Sequence, residues 1–128
     1  FSKEVMADLT YALKSVVNGG TGAAALSLGR PAAGKTGTSQ SNASAWFAAY
    51  TPQLAASVAL FRDSASESLN GIGGLTSVTG GTFPARIWTA FMKGALKGEP
   101  VMTFPAPSNV GGLEPIEMTS GGVQTRKD

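Results

Sequence analysis

Two residue types that carry much of enzyme chemistry are missing, since the 128-residue chain has no cysteine and no histidine. Without cysteine there is no disulfide framework and no thiolate nucleophile, and without either residue there is no Cys/His metal site. No Ser-His or Cys-His pair can form within the chain. Any nucleophile activated here therefore needs a lysine, a carboxylate or a group outside the chain as its base. We expect no metal and no cofactor.

Charge and long apolar runs are also scarce. Charged residues make up 14% of the chain, the net charge is +2, and the lysines and arginines are scattered. This pattern lacks the basic stripe of a nucleic-acid-binding surface, so we expect no nucleic-acid partner. No window approaches the ~20 apolar residues that a membrane-spanning helix needs. The length suffices for one small domain with its own core.

Apolar periodicity predicts two amphipathic helices. The first covers residues 3–17, with Ser2 as its cap and Asn18-Gly19-Gly20 as its end. The second covers residues 84–97, with Pro84 in its first turn. The stripes expected to face the core are Val5, Met6, Leu9, Leu13, Val16 and Val17 in the first helix, and Ile87, Trp88, Phe91, Met92, Ala95 and Leu96 in the second.

Three strands are predicted between these helices, at residues 33–39, 44–50 and 54–62. Short joints at Ser41-Asn42 and Thr51-Pro52-Gln53 favour an antiparallel meander. Residues 23–28 fit either a short helix or a strand, and residues 63–82 fit a long surface loop. The fold class is therefore α+β, an antiparallel sheet flanked by helices, with a sheet edge that needs a partner. The aromatic residues expected to pack the sheet against the helices are Trp46, Phe47, Tyr50, Phe61, Trp88 and Phe91.

Residues 1–107 are predicted to form the folded unit. Residues 108–128 form a Gly/Pro-rich tail, which we expect to be largely disordered. Because the chain opens directly into a helical pattern, we expect it to be a piece of a longer polypeptide.

The run from Arg30 to Gln40 concentrates polar chemistry and allows two interpretations. As Gly29-x-x-x-x-Gly34-Lys35-Thr36 it matches a P-loop for nucleotide phosphates. A P-loop continues into a helix, however, and this run continues into hydroxyl residues and an aromatic strand pattern. Asp63 after the third strand resembles a magnesium-binding residue, but Arg62 interrupts that strand and the hairpin makes the sheet antiparallel.

The second interpretation takes residues 35–38, the KTGT segment, as part of an acyl-transfer site. Lys35 supplies positive potential, and the hydroxyls of Thr36 and Thr38 can bind a carboxylate. Gly37 allows another backbone to approach, and the Thr38 N–H can donate to a developing oxyanion. Strand alternation places Lys35 on one face and the two threonines on the other. All of them line one cleft only if the strand is a twisted edge strand.

The residues around this segment resemble the class A penicillin-binding proteins, the bifunctional peptidoglycan synthases of bacteria. The resemblance extends from residue 3 to about residue 107, including Gly20-Thr21-Gly22, and Ser44 stands where the family often has Asp. The motifs that carry it are Gly29-Arg30-Pro31-x-Ala33-Gly34-Lys35-Thr36-Gly37-Thr38-Ser39-Gln40 and Ala45-Trp46-Phe47-x-x-Tyr50-Thr51-Pro52.

The resemblance implies the C-terminal part of a transpeptidase domain, supplying three strands of a five-stranded antiparallel sheet with helices on both faces. The implied enzyme is a D,D-transpeptidase that cross-links peptidoglycan stem peptides and is acylated by β-lactams. Lys35 and Thr38 would be catalytic, and Thr36, Gly37 and Thr38 would bind substrate. The enzyme would act at the outer face of the bacterial cytoplasmic membrane, with its anchor outside this chain. A D,D-carboxypeptidase or β-lactamase of the same superfamily remains an alternative.

The family's nucleophile motif, Ser-x-x-Lys, is absent from these 128 residues. Ser68-Leu69-Asn70 matches the family's Ser-x-Asn motif by letters, but it follows the KTGT segment instead of preceding it, and we interpret it as a coincidence. Ser39 lies ~13 Å along a strand from Lys35, too far for proton transfer. We therefore expect a preceding part of the same domain, carrying Ser-x-x-Lys and Ser-x-Asn, as the partner of this chain.

Overall fold

The computed structural model describes residues 1–64 and 66–109, which form two α-helices and one antiparallel sheet of three strands. The helices are α1 (Lys3–Asn18) and α2 (Phe83–Ala95), and the strands are β1 (Ala33–Thr38), β2 (Ser44–Tyr50) and β3 (Ala55–Phe61). The strands lie in the order β1-β2-β3, so β1 and β3 are edge strands among the described residues. The α+β prediction is confirmed.

Helix α1 begins and ends where its sequence predicts, but it buries a different face. The Ser2 hydroxyl accepts a hydrogen bond from the Val5 N–H at 3.3 Å, and Gly19 follows the last turn. The residues that it buries are Ala7, Thr10 and Val17. The expected stripe is wrong in its first half, because Val5, Met6 and Leu9 are exposed. Small residues let α1 approach β1 closely, and no described element covers the apolar stripe.

Helix α2 places Pro84 in its first turn, as predicted, and buries Trp88, Met92 and Leu96. The rest of the predicted stripe is wrong, since Ile87, Phe91 and Ala95 are exposed. The buried face is completed instead by Pro84, Ala85 and Thr89. Positions 84–85, 88–89, 92 and 96 follow the helical repeat, and this row faces the sheet.

Trp88 fixes α2 on the sheet. Its indole Nε1 donates to the Ala49 carbonyl at 3.2 Å and to the Ala56 carbonyl at 3.1 Å, which joins α2 to both β2 and β3. Its ring meets Phe47 edge to face, with centroids 5.5 Å apart. Phe47 and Trp88 thus pack as predicted, but Trp46, Phe61 and Phe91 are exposed. Trp46 and Phe61 lie on the sheet face opposite α2, because side chains alternate along a strand.

The loop between β3 and α2 is partly buried, which corrects the prediction of a surface loop. Leu69 and Val78 are buried and pack with Ala45 into a second small core. The Arg62 guanidinium pairs with Glu67 at 2.7 Å, as expected of a surface arginine. Residues 23–28 form a 3₁₀ helix, and Ser41 and Asn42 make the predicted turn with positive φ.

Residues 97–109, after α2, run without helix or strand across the end of the sheet. Arg30 donates to the carbonyls of Leu96 and Glu99, directly after α2. Phe104 packs edge to face on Tyr50, and the Ser108 N–H donates to the Asp8 carboxylate of α1. The predicted tail from residue 108 lies almost wholly outside the described residues, and the boundary at 107 stays a prediction.

Candidate functional site

The KTGT segment lies in β1, an edge strand, as the acyl-transfer interpretation requires. Beyond the end of β1, the Ser39 N–H donates to the Ser44 carbonyl at 3.0 Å. Antiparallel pairing alternates, so the backbone groups of Gly37 and Lys35 also point toward β2. Those of Thr36 and Thr38 consequently point outward from the sheet. The Thr38 N–H is therefore a backbone donor at the open edge.

Lys35 reaches the same edge by bending its side chain around the strand. Its Nζ donates to the Thr36 carbonyl at 2.9 Å, and that carbonyl is one of the outward-pointing groups. The side chain is exposed, and within residues 1–64 and 66–109 it makes no ion pair. Lys35 thus comes to the same edge as the threonines through the bend of its flexible side chain, and not through the local twist of the strand that we expected. Side-chain alternation along β1 is retained.

The two threonine hydroxyls are each held by a different loop. The Thr36 hydroxyl is 2.6 Å from the hydroxyl of Thr21, which follows α1. The Thr38 hydroxyl accepts a hydrogen bond from the Gly80 N–H at 3.2 Å, in the loop before α2. Both threonines lie on the sheet face that carries Phe47, since Thr36 is paired directly with Phe47. The structure therefore places two oriented hydroxyls beside the outward Thr38 N–H.

Another backbone does lie close to Gly37, but Gly80 is the glycine that this approach requires. A Cβ on Gly80 would stand 2.8 Å from the Gly37 carbonyl oxygen and 2.9 Å from the Gly37 nitrogen, and would collide with the Trp46 carbonyl. A Cβ on Gly37 would meet only Trp46, at an ordinary 3.4 Å, on the opposite face. The loop before α2 therefore rests directly on the backbone of the KTGT segment.

The P-loop interpretation is wrong, because Lys35 and Thr36 lie within a strand of an antiparallel sheet, and this strand continues through a short turn into β2 instead of into an α-helix. Both glycines of that pattern have structural explanations. Gly29 has φ 75° at the end of the 3₁₀ helix, a conformation that favours glycine. Gly34 lies against Ala49 of β2, where a Cβ would stand 2.7 Å from the Ala49 Cα.

The remaining candidate motifs serve local structure. The Ser39 hydroxyl accepts from the Ser44 N–H at 2.7 Å and so closes the β1–β2 turn. In the Ser68-Leu69-Asn70 sequence, Leu69 is buried, and the side-chain Oδ1 of Asn70 accepts a hydrogen bond from the side-chain Nδ2 of Asn42 at 2.7 Å. These contacts agree with interpreting that motif as a coincidence.

Sequence reasoning missed two contributors to the site, Thr21 and Gly80. Thr21 stands between two glycines directly after a predicted helix end, a weak signal that a fixed backbone position presents its hydroxyl. Gly80 belongs to a Gly-Gly pair inside a long loop, and only the folded contact with Gly37 reveals its importance. Both contacts join segments far apart in the sequence, which no local pattern reports.

The chain is similar to known proteins over much of its length. Residues 1–69 match the family model of the penicillin-binding protein transpeptidase domain. Penicillin-binding protein 1A of Mycobacterium tuberculosis is 42% identical over 89 residues, which are 66% of this chain and 11% of that protein. Penicillin-binding protein 1A of Rickettsia typhi is 33% identical over 80% of this chain and 12% of its own length.

Solved structures give the same result. The penicillin-binding protein PonA1 of Mycobacterium tuberculosis superposes with a TM-score of 0.78 at 37% identity, covering 88% of this chain and 30% of the solved chain. The PonA1 complex with penicillin V gives a TM-score of 0.75 at 36% identity, covering 85% of this chain and 30% of that one. The chain thus spans about a tenth of the length of the curated relatives named above. The expected resemblance is confirmed, and the chain belongs to the penicillin-binding protein transpeptidase family.

Proposed function

We propose that this chain forms one wall of a serine-type D,D-transpeptidase site that cross-links peptidoglycan stem peptides. The observation that carries the proposal is the open edge of β1, where the Lys35 ammonium, the Thr38 N–H and the hydroxyls of Thr36 and Thr38 come together. The solved complex of a relative with penicillin V supports a β-lactam as the inhibitor of the same site.

Each group at this edge suits one part of acyl transfer. A serine oxygen attacks the penultimate D-Ala carbonyl of a stem peptide, the terminal D-Ala leaves, and an amine of a neighbouring stem then takes the acyl group. The Thr38 N–H donates to the oxyanion that forms at the attacked carbonyl, where one such donor contributes about 3 kcal/mol. The hydroxyls of Thr36 and Thr38, two residues apart on the same face of β1, bind the carboxylate of the terminal residue.

Lys35 has two roles in this proposal. Its positive charge attracts the substrate carboxylate toward the edge. Its ammonium also supports the proton relay, in which the proton of the serine passes to the lysine of Ser-x-x-Lys and then to the leaving amine. Among residues 1–64 and 66–109 the side chain makes one hydrogen bond, to the Thr36 carbonyl, and an ammonium has three donors. Two N–H groups are therefore available for other partners at the edge.

The serine, its lysine and the Ser-x-Asn motif are proposed to lie on a preceding part of the same domain. The sheet face opposite α2 carries the exposed Trp46 and Phe61, and α1 exposes Val5, Met6 and Leu9. Lys35 lies on this same open face, at the rim of a groove bordered by Leu13 and Ser57. Packing the preceding part of the domain here would cover the apolar side chains and bring its serine beside Lys35.

The location of the enzyme follows from its substrate. Peptidoglycan stem peptides lie outside the cytoplasmic membrane, so we propose that the domain works on the outer face of that membrane. No helix within the described ranges is long and apolar enough to cross a membrane. We propose that the anchor of the enzyme lies outside this chain.

Covalent labelling by a fluorescent penicillin tests the proposal. The intact polypeptide that contains this chain should be labelled, and the isolated chain should not, because it lacks Ser-x-x-Lys. Lys35→Ala should slow labelling of the intact polypeptide by orders of magnitude, whereas Lys93→Ala, at an exposed position of α2, should leave the rate unchanged. Labelling of the isolated chain, or equal rates for the two variants, would contradict it.

The acyl acceptor separates transpeptidation from the alternatives within the superfamily. A transpeptidase passes the acyl group to an amine, whereas a D,D-carboxypeptidase or a β-lactamase passes it to water. Supplying the intact polypeptide with a stem-peptide donor and an amine acceptor should yield the cross-linked peptide. If only the hydrolysed donor or hydrolysed penicillin accumulates, the proposal fails in favour of those enzymes.

A further inference from the structure

The contact between the hydroxyls of Thr21 and Thr36 has a consequence for substrate binding. The two oxygens are 2.6 Å apart and join the loop after α1 to the middle of β1. We propose that Thr21 is a positioning residue for the substrate carboxylate, acting through Thr36. This inference rests on the proposed function, in which Thr36 binds that carboxylate.

A count of hydroxyl hydrogens shows how Thr21 acts. Each threonine hydroxyl has one hydrogen and can accept two hydrogen bonds, so in a pair of hydroxyls one donates and the other keeps its hydrogen free. A carboxylate only accepts, so when it contacts Thr36 the free hydrogen must be that of Thr36. Thr21 is then the donor to Thr36. Its donation fixes the rotation of the Thr36 hydroxyl and strengthens the bond that Thr36 gives to the ligand.

The backbone around Thr21 is closely packed, although Thr21 itself is exposed. A Cβ on Gly22 would stand 2.9 Å from the Phe47 ring, and a Cβ on Gly20 would stand 2.9 Å from the Val16 carbonyl oxygen. On the other side, Gly81 lies so close that a Cβ there would collide with the Thr21 carbonyl oxygen. Three glycines thus allow Thr21 to be wedged between the core and the loop before α2.

The Thr38 hydroxyl also accepts a hydrogen bond from a neighbouring loop. The donor is the Gly80 N–H, so the Thr38 hydrogen also remains available to an outside acceptor. Both KTGT hydroxyls are therefore backed by a donor, a side chain for Thr36 and a backbone group for Thr38. A carboxylate at the edge can receive two hydrogen bonds from hydroxyls oriented before it arrives.

The test uses the intact polypeptide and two ligands, a penicillin and its methyl ester, which lacks the carboxylate charge. Thr21→Val removes the hydroxyl and keeps the shape, and Thr21→Ser keeps the hydroxyl. We expect Thr21→Val to weaken non-covalent binding of the acid before acylation by roughly 5-fold, the value of one ordinary hydrogen bond. Binding of the ester should weaken less, because its uncharged carbonyl is a weaker acceptor than a carboxylate, and Thr21→Ser should bind both ligands like the parent protein.

A double-mutant cycle with Thr36→Val gives an independent measure. If Thr21 acts through Thr36, Thr21→Val should cause no further loss in the Thr36→Val background. An equal loss for acid and ester, no loss for the acid, or full additivity in the cycle would overturn the inference. If Thr21→Val does not fold, Thr21→Ala replaces it, because alanine also removes the hydroxyl and puts no methyl group in its place. Failure of the parent protein to react with penicillin at all would instead refute the proposed function.

Discussion

Gly80 packs directly against the backbone of Gly37, so closely that the contact leaves no room for a Cβ on Gly80. This contact joins the loop before α2 to the strand that carries the candidate site. It also orients that strand, because the N–H of Gly80 is the donor to the Thr38 hydroxyl. The folding of residues 79–82 and the geometry of the site are therefore linked.

Gly80→Ala should destabilise the intact polypeptide by about 1–3 kcal/mol, the usual cost of forcing extra atoms into a packed position. The added Cβ would meet backbone atoms of Gly37 and Trp46, which cannot turn aside as a flexible side chain could. Thermal and denaturant unfolding measure the effect.

Gly37→Ala is the matched control, since its Cβ would meet only Trp46 at 3.4 Å. Its cost in stability should be clearly smaller. Equal destabilisation by the two substitutions would show that Gly80 has no special contact with the strand.

Arg30→Met should destabilise the end of α2 by about 1–2 kcal/mol. The guanidinium donates to the Leu96 carbonyl at 3.2 Å and to the Glu99 carbonyl at 3.3 Å, and so ties Arg30 to the turn that follows α2. Methionine keeps much of the length of the side chain but has no donor. Hydrogen exchange of residues 92–99 should become faster.

Arg86→Met removes an exposed arginine from the same helix and should leave exchange of this region unchanged. If the two variants exchange alike, the contacts of Arg30 contribute nothing measurable to the end of α2.

Thr38→Pro tests the outward N–H directly, because proline removes a backbone donor. Proline is tolerated on an edge strand where the N–H does not bond the neighbouring strand, which is the position of Thr38. Thr38→Val removes the hydroxyl but keeps the N–H. Relative to Thr38→Val, Thr38→Pro should slow acylation by penicillin by roughly 10²–10³-fold, the usual loss for one oxyanion donor.

The comparison requires that Thr38→Pro retains the fold, which its unfolding temperature reports. Equal acylation rates for two folded variants would show that the Thr38 N–H does not stabilise the oxyanion. Lys35→Pro removes an N–H that points toward β2, and it should unfold the strand by contrast.

Glu4 should make the stability of α1 depend on pH, with a sign that follows from its lowered pKa. Its own backbone N–H and, to a lesser extent, the Ser2 hydroxyl hold the pKa of Glu4 below its ordinary value of 4.5. Because the folded-state pKa is the lower one, the stabilisation is present above pH 4.5 and is lost as the pH falls through the folded-state pKa. Glu4→Gln should abolish this dependence, measured as unfolding against pH between the parent and the variant. Parallel curves over that range would contradict it.

Local signals in the sequence were sufficient to predict the helices and strands and their order along the chain. Ser2 predicts the start of α1 because a hydroxyl can cap the first turn, and Thr51-Pro52-Gln53 predicts the β2–β3 hairpin because its residues fit a tight joint. The KTGT segment could be placed on a strand for the same reason, since β-branched residues alternate with small ones and no helix signal follows.

The sequence was less informative about which face of each element is covered. The apolar periodicity of α1 and α2 shows that a stripe exists, but its neighbours decide whether Met6 or Phe91 is buried, and those neighbours are set by tertiary packing. The contacts of Thr21 with Thr36 and of Gly80 with Gly37 span 15 and 43 residues, so no local rule could predict them. The site's main strand was thus predictable, whereas its supporting loops were not.

The position of the acyl group is the most direct test of the claim that this chain is one wall of a site whose nucleophile lies elsewhere. The intact polypeptide is reacted with penicillin, digested and mapped by mass spectrometry for the penicilloyl adduct. We predict a single adduct on a serine that precedes residue 1 of this chain and is followed three positions later by lysine. An adduct on any serine within these 128 residues, Ser39 included, would contradict the claim.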